Sequence, residues 1–234
     1  MGRPIVANMI GRNEAESYLV PVLERLSKQV DMIVFTDDKS EDDTPNIAER
    51  FGARVFQMPE PTFSNNEGRI RQQSWENLQT VIPTEDCFIL AIDCDEMLYQ
   101  TRYTLEQLAL QDSYQVINIE FFHMWNEDQF RVDKAWRPHP SSRMFKYLPG
   151  GNFLDRQLAC GSEPTYVQQL IRSGLFLKDS GLCMKHLSYI KDDDKKSKFD
   201  RYMKLDGGAF HANAHILSIM DEDPQLIDWA WEDQ

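Results

Sequence analysis

Two carboxylates one residue apart, Asp93-x-Asp95, end the most apolar run of the chain, Cys-Phe-Ile-Leu-Ala-Ile at 87–92. Alternate residues of an extended segment point to the same side, so the pair can share one divalent ion. Hard oxygen ligands suit magnesium or manganese, and an ion held by few carboxylates keeps positions for water or substrate phosphates. Such an ion would offset the charge of a departing diphosphate. Acids follow two other apolar runs. Residues 5–10 lead into Gly11-Arg12-Asn13-Glu14, and residues 32–36 lead into Asp37-Asp38-Lys39-Ser40-Glu41-Asp42-Asp43-Thr44. Carboxylates gathered at one edge repel unless cations or hydrogen-bond donors offset them. Singly, each also has a structural use: Asp42 or Asp43 can cap a helix, and Asp37 or Asp38 can hold a turn.

The elements that would place these residues alternate. Residues 5–9, 32–36, 54–57 and 87–92 read as buried strands. Helical spacing joins Tyr18, Leu19, Val22, Leu23 and Leu26, and further helices are predicted at 44–51, 67–81 and 104–110. This alternation builds a mainly parallel sheet with helices on both faces, and ligands bind beyond the carboxyl ends of its strands. That α/β half takes residues 1–112. The half at 113–220 is less regular, with strands predicted at 114–124, 130–136, 143–147 and 182–187 and a charged helix at 192–205. The pairs Gly150-Gly151 and Gly207-Gly208 read as turns.

The ordered set of motifs resembles the family 2 glycosyltransferases of the GT-A fold. Arg12-Asn13-Glu14 follows the first strand, and residues 34–44 are close to the family's DD-x-S-x-D-x-T pattern. Asn66-Glu67-Gly68-Arg69 with Arg71 is similar to its N-x-G-x-x-R element, and Asp93-Cys94-Asp95 stands as its DXD motif. The resemblance spans residues 5–96. It implies an α/β GT-A (Rossmann-like) fold: a mainly parallel central sheet flanked by helices, with a smaller acceptor-side β/α extension. It also implies a metal-dependent enzyme that moves a sugar from a nucleotide diphosphate-sugar, a UDP-sugar first, to a hydroxyl acceptor with inversion. By the same resemblance Asp38, or Asp37, contacts the base or ribose, and Asn13 and Glu14 line the base pocket. Arg69 or Arg71 faces the base or diphosphate. Asp95 binds a manganese or magnesium ion, Asp93 binds the ion, its water or the ribose, and His186 completes the metal site.

Between Lys185 and Lys204 seven bases stand against four acids. A basic segment beside a metal–diphosphate site can fold over the donor as a lid, with Lys191 as its phosphate contact. Inversion needs a carboxylate base near the acceptor hydroxyl. Asp155 and Glu163 are equal candidates and Asp133 ranks below them. Trp125, Trp136, His123 and His139 could stack on a sugar or base, though aromatics at strand spacing more often form core. Two rivals are a nucleotidyltransferase and a non-catalytic nucleotide-sugar-binding module. The first normally carries a glycine-rich basic loop after the first strand, where this chain has Gly11 alone.

With 38 acids against 25 bases, the 234-residue chain carries a net charge of −13, which excludes generic attraction to nucleic-acid phosphates. No apolar stretch reads as a membrane span or leader. Cys87, Cys94, Cys160 and Cys183 form no CxxC pair, so a cytoplasmic protein with reduced thiols is expected, and a transferase this compact fits a bacterial or phage setting. Residues 221–234 hold six acids and no base and read as a solvated acidic tail.

Overall fold

The computed structural model describes residues 2–157, 160–206 and 214–231. Gly207-Gly208, and Glu232 and Asp233 of the acidic tail, lie outside the described residues. In chain order the first half forms β1 (Ile5–Gly11), α1 (Leu19–Leu26), β2 (Met32–Asp37), α2 (Thr44–Arg50), β3 (Arg54–Gln57), α3 (Glu67–Gln79) and β4 (Phe88–Ala91). There follow β5 (Glu96–Gln100), α4 (Leu105–Leu110), β6 (Val116–His123), β7 (Gln129–Arg131), β8 (His139–Lys146) and α5 (Thr165–Arg172). The chain closes with β9 (Phe176–Leu177), β10 (Leu182–His186), α6 (Asp192–Asp206), α7 (Ala214–Leu217) and β11 (Leu226–Asp228).

The main sheet runs β3-β2-β1-β4-β8-β6-β10-β5, with β9 beside β6. Its β3-β2-β1-β4 half is parallel. β8 is antiparallel to both β4 and β6, β10 is parallel to β6, and β5 is antiparallel to β10. The strands form because their residues can be buried on both faces. Ile5, Ala7 and Met9 of β1 pack with Leu19 and Leu23 of α1, while Val6 packs with Trp75 and Leu78 of α3. Leu19, Val22, Leu23 and Leu26 make one buried stripe on α1, the spacing of an amphipathic helix. Asn66 caps α3 by accepting from the Arg69 N–H at 2.9 Å, and Thr104 and Gln107 form a capping box on α4.

The mainly parallel α/β architecture is as expected, and the strands β8, β6 and β10 of the second half join the central sheet directly. The strand expected at 130–136 is only the three residues of β7, followed by a 3-10 turn at Lys134–Trp136. β5, directly after the acidic triplet, was not foreseen, because its polar Glu96 and Gln100 obscure the apolar alternation.

The end of the chain differs most. Residues 221–231 are docked rather than solvated: β11 pairs with β7, and Asp221 accepts from Arg131 and Lys134. Trp229 and Trp231 pack on Phe122 and Phe130. Charge dominated the sequence pattern there, but Leu226, Trp229 and Trp231 gain more by burial than the exposed acids lose. All four cysteines are buried free thiols. No helix among the described residues is long and apolar enough to cross a membrane.

Candidate active site

A cavity of about 780 Å³ opens at the carboxyl ends of β1, β2 and β4, where parallel sheets bind their ligands. Its floor comes from the turn after β4. The Asp93 N–H donates to Glu96 Oε2 at 2.9 Å, and the Glu96 N–H donates to the Asp93 carbonyl at 3.1 Å. Strand register then assembles the rest: Glu96 of β5 lies opposite His186 of β10, which lies opposite His123 of β6. Asp95 Oδ2 is 3.4 Å from His186 Nε2. The Nδ1 atoms of His186 and His123 are 2.9 Å apart, so one ring must donate to the other. If Nε2 of His186 is free to ligate, Nδ1 carries the proton and His123 accepts it, which fixes the ring's tautomer.

Electrostatics set the protonation states. Burial alone would raise Asp95, but Lys198 and His186 outweigh it and hold the carboxyl well below the usual range. Burial, reinforced by Lys198 and opposed by Asp95, lowers His186, so its imidazole is neutral. Burial, opposed by Arg143 and reinforced by Asp93 and Asp95, pushes Glu96 up to about 8. Arg143 Nη2 donates to Glu96 Oε1 at 2.5 Å and its Nη1 lies 3.9 Å from Asp93 Oδ2. Arg71 donates to Glu67 Oε1 at 2.9 Å and reaches to 3.7 Å from Asp93 Oδ1. Asp93 is thus held between two guanidinium groups.

An ionised Asp95 and a neutral His186 facing one point make a donor set that suits manganese or magnesium. Among the described residues no group of three or more His, Cys, Asp or Glu is assembled for a metal. Asp95 and His186 are the groups that could hold such an ion, with its remaining positions open to water or phosphate.

The loop after β2 is largely occupied in building itself. Asp37 Oδ2 accepts from the Ser40 N–H at 3.1 Å, and Ser40 Oγ accepts from the Asn13 N–H at 2.9 Å. Asn13, at a left-handed φ of 56°, accepts from the Glu41 N–H at 2.8 Å. Asp42 accepts from Thr44 and Ala15 N–H groups, and Thr44 Oγ1 accepts from the Glu14 N–H at 2.6 Å. Both Asp38 oxygens accept backbone protons, from Thr62 at 2.6 Å and Phe63 at 3.0 Å. The acidic run is therefore a network of side chains on backbone amides.

The cavity gathers Glu14, Asp38, Arg71, Asp93, Asp95, Glu163 and His186 of the expected set, with His123 and His139. Others fall elsewhere. Asp37 is buried below the loop, and Asn13 and Lys191 line an adjoining groove, where Lys191 lies over Tyr18. Arg69 is exposed on the outer side of α3. Asp155 is also exposed and accepts from Asn66 Nδ2 at 2.5 Å, at the α3 cap. Asp133 is paired with Arg131 at 2.5 Å, and Trp125 and Trp136 are core. Sequence reasoning missed Arg143, Lys198 and the pairing role of Glu67. Lys198 had little signal of its own: it is one of seven bases at 185–204, and Lys191 stands just before α6, not on it.

No protein family's model matches the chain, and no curated protein matches it. Solved structures do. The mannosyltransferase PcManGT from Pyrobaculum calidifontis, in complex with GDP-Man and Mn2+, superposes with a TM-score of 0.56 at 12% identity over 95% of this chain and 66% of that one. The chain has the GT-A fold. TarS 1–349 of S. aureus, in complex with UDP, matches at TM-score 0.49 and 17% identity over 94% of this chain and 70% of that one. Glucosyl-3-phosphoglycerate synthase from Mycobacterium tuberculosis matches at TM-score 0.37 and 22% identity over 53% of this chain, which spans 45% of the synthase.

Proposed function

We propose that the chain is a metal-dependent glycosyltransferase that moves a sugar from a nucleotide diphosphate-sugar, a UDP-sugar first, to a hydroxyl acceptor. The observation that carries this is the pair Asp95 and His186, 3.4 Å apart in a cavity of about 780 Å³ at the carboxyl edge of a GT-A sheet. The GT-A fold it shares with a mannosyltransferase solved with GDP-Man and Mn2+ supports the reading.

Asp95 and His186 would hold a manganese or magnesium ion, which supplies charge neutralisation for the leaving diphosphate. His123 keeps the His186 ring turned toward Asp95. Arg71 and Arg143 fix the Asp93 carboxylate, which then faces the ion's water or the ribose. Arg12 lines the cavity with a buried Nε that has no hydrogen-bond partner, the state of a guanidinium awaiting a base or phosphate oxygen. Asp38 and Glu14 line the nucleoside end.

Glu163 is the base for the acceptor hydroxyl, and the anomeric centre inverts. It lines the cavity and is held by Gln168 Nε2 at 3.0 Å, whereas Asp155 and Asp133 are tied outside it. The buried, unpaired thiols suit a reducing compartment. A thermal-shift screen of uridine, guanosine and thymidine diphosphates tests the reading. At least one is expected to raise Tm with manganese and not with EDTA. No shift with any of them overturns it.

A further inference from the structure

The position that a divalent ion would take is already filled by a side chain. Lys198 of α6 lies with its Nζ 3.4 Å from Asp95 Oδ2 and 3.4 Å from His186 Nε2, and it donates to Ser188 Oγ. An ammonium has three protons and no acceptor, and here three acceptors surround it, Asp95 from the turn after β4 and His186 and Ser188 from the end of β10. The arrangement is anchored. Tyr18 donates to Asp194 Oδ2 at 3.2 Å, and Phe199 and Tyr202 of α6 pack against the aromatic cluster of Trp125, Trp136 and Tyr189. α6 is thereby fixed over the cavity with Lys198 facing its floor.

We propose that Lys198 is a built-in competitor of the divalent ion. Its ammonium closes the Asp95–His186 pair in the free protein, and the ion binds only when the side chain swings away. This rests on the metal reading given under Proposed function and extends it. Two cations cannot share one carboxylate and one imidazole at this distance without strong repulsion. A nucleoside diphosphate offers oxygens to both the ion and the displaced ammonium. The ion and the nucleotide therefore bind cooperatively, each favouring the arrangement the other needs. A site blocked about nine-tenths of the time shows an affinity weakened about tenfold.

The test is titration of the full chain with Mn2+ alone, followed by the paramagnetic resonance of free Mn2+, and repeated with uridine or guanosine diphosphate. Lys198→Met is expected to bind Mn2+ about tenfold more tightly than the unsubstituted chain without nucleotide. It should also gain less from added nucleotide. Asp95→Asn should abolish binding in both backgrounds. Lys198→Gln serves as a second variant, with circular dichroism confirming the fold of each. Equal or weaker Mn2+ binding by both Lys198 variants, with binding still dependent on Asp95, overturns the competitor role and leaves the metal reading standing. Absence of Asp95-dependent Mn2+ binding in every variant, with or without nucleotide, overturns the metal reading and the competitor with it.

Discussion

Glu14 is raised to about 7, chiefly by burial, with a Ser17 hydrogen bond opposing and Asp95 adding repulsion. The folded chain therefore keeps the Glu14 proton over a pH range where the unfolded chain has lost it. The stability this proton contributes is complete below about pH 4.5 and is lost as pH rises toward 7. Glu14→Gln should make the metal-free chain more stable at pH 8, by up to about 2 kcal/mol, and leave it unchanged near pH 4, in urea melts. Asp38 carries the opposite lesson. Its two oxygens serve the amides of Thr62 and Phe63, so Asp38→Ala strands two donors. A loss of about 2–4 kcal/mol is expected by the same measurement. The types and order of these residues were legible in the sequence, while their division of labour was not. Whether an aspartate meets a ligand or a backbone amide depends on where a loop 24 residues away returns. Lys198 was passed over for Lys191 because a run of bases in the sequence does not give the distance of each to a carboxylate on another element.

At the scale of elements, α3 ties the first half of the chain to the loop at 154–157. Its Glu67 and Gly68 amides donate to the Gln157 and Arg156 carbonyls, so the 154–157 loop crosses its first turn. A Cβ on Gly68 would stand 1.8 Å from the Leu154 carbonyl oxygen, a backbone atom that cannot give way cheaply. Gly68→Ala should therefore cost about 1–3 kcal/mol in thermal or urea unfolding. Arg71 would shift with the loop, and the donor KM should rise. The parallel half was readable because β1, β2 and β4 are mostly apolar runs and α1 carries a clear buried stripe. In the second half β6, β10 and α6 fall where expected, whereas β7, β9 and β11 are each three residues or fewer and draw their stability from distant partners. The docked end shows this most clearly. Its sequence reads as acidic, with no base from 221 onward, yet Trp229 and Trp231 decide where it lies.

For the whole molecule, the net charge of −13 is concentrated in two ways. Some acids decorate the surface, and others converge at one sheet edge beside Arg12, Arg71, Arg143 and Lys198. On the proposed reading, such a cavity would hold phosphate through a few local cations and not through a diffuse basic surface. Glu163→Gln should lower kcat by about 10²–10⁴ with the donor KM nearly unchanged, as removal of a base dictates. The most direct test of the whole account is release of nucleoside diphosphate from a panel of nucleotide sugars, with manganese and with EDTA, by the unsubstituted chain and by Asp95→Ala. The account predicts release from at least one donor that requires manganese and falls at least about a hundredfold in Asp95→Ala. Release that is indifferent to both the metal and Asp95, or no release from any donor, would contradict it.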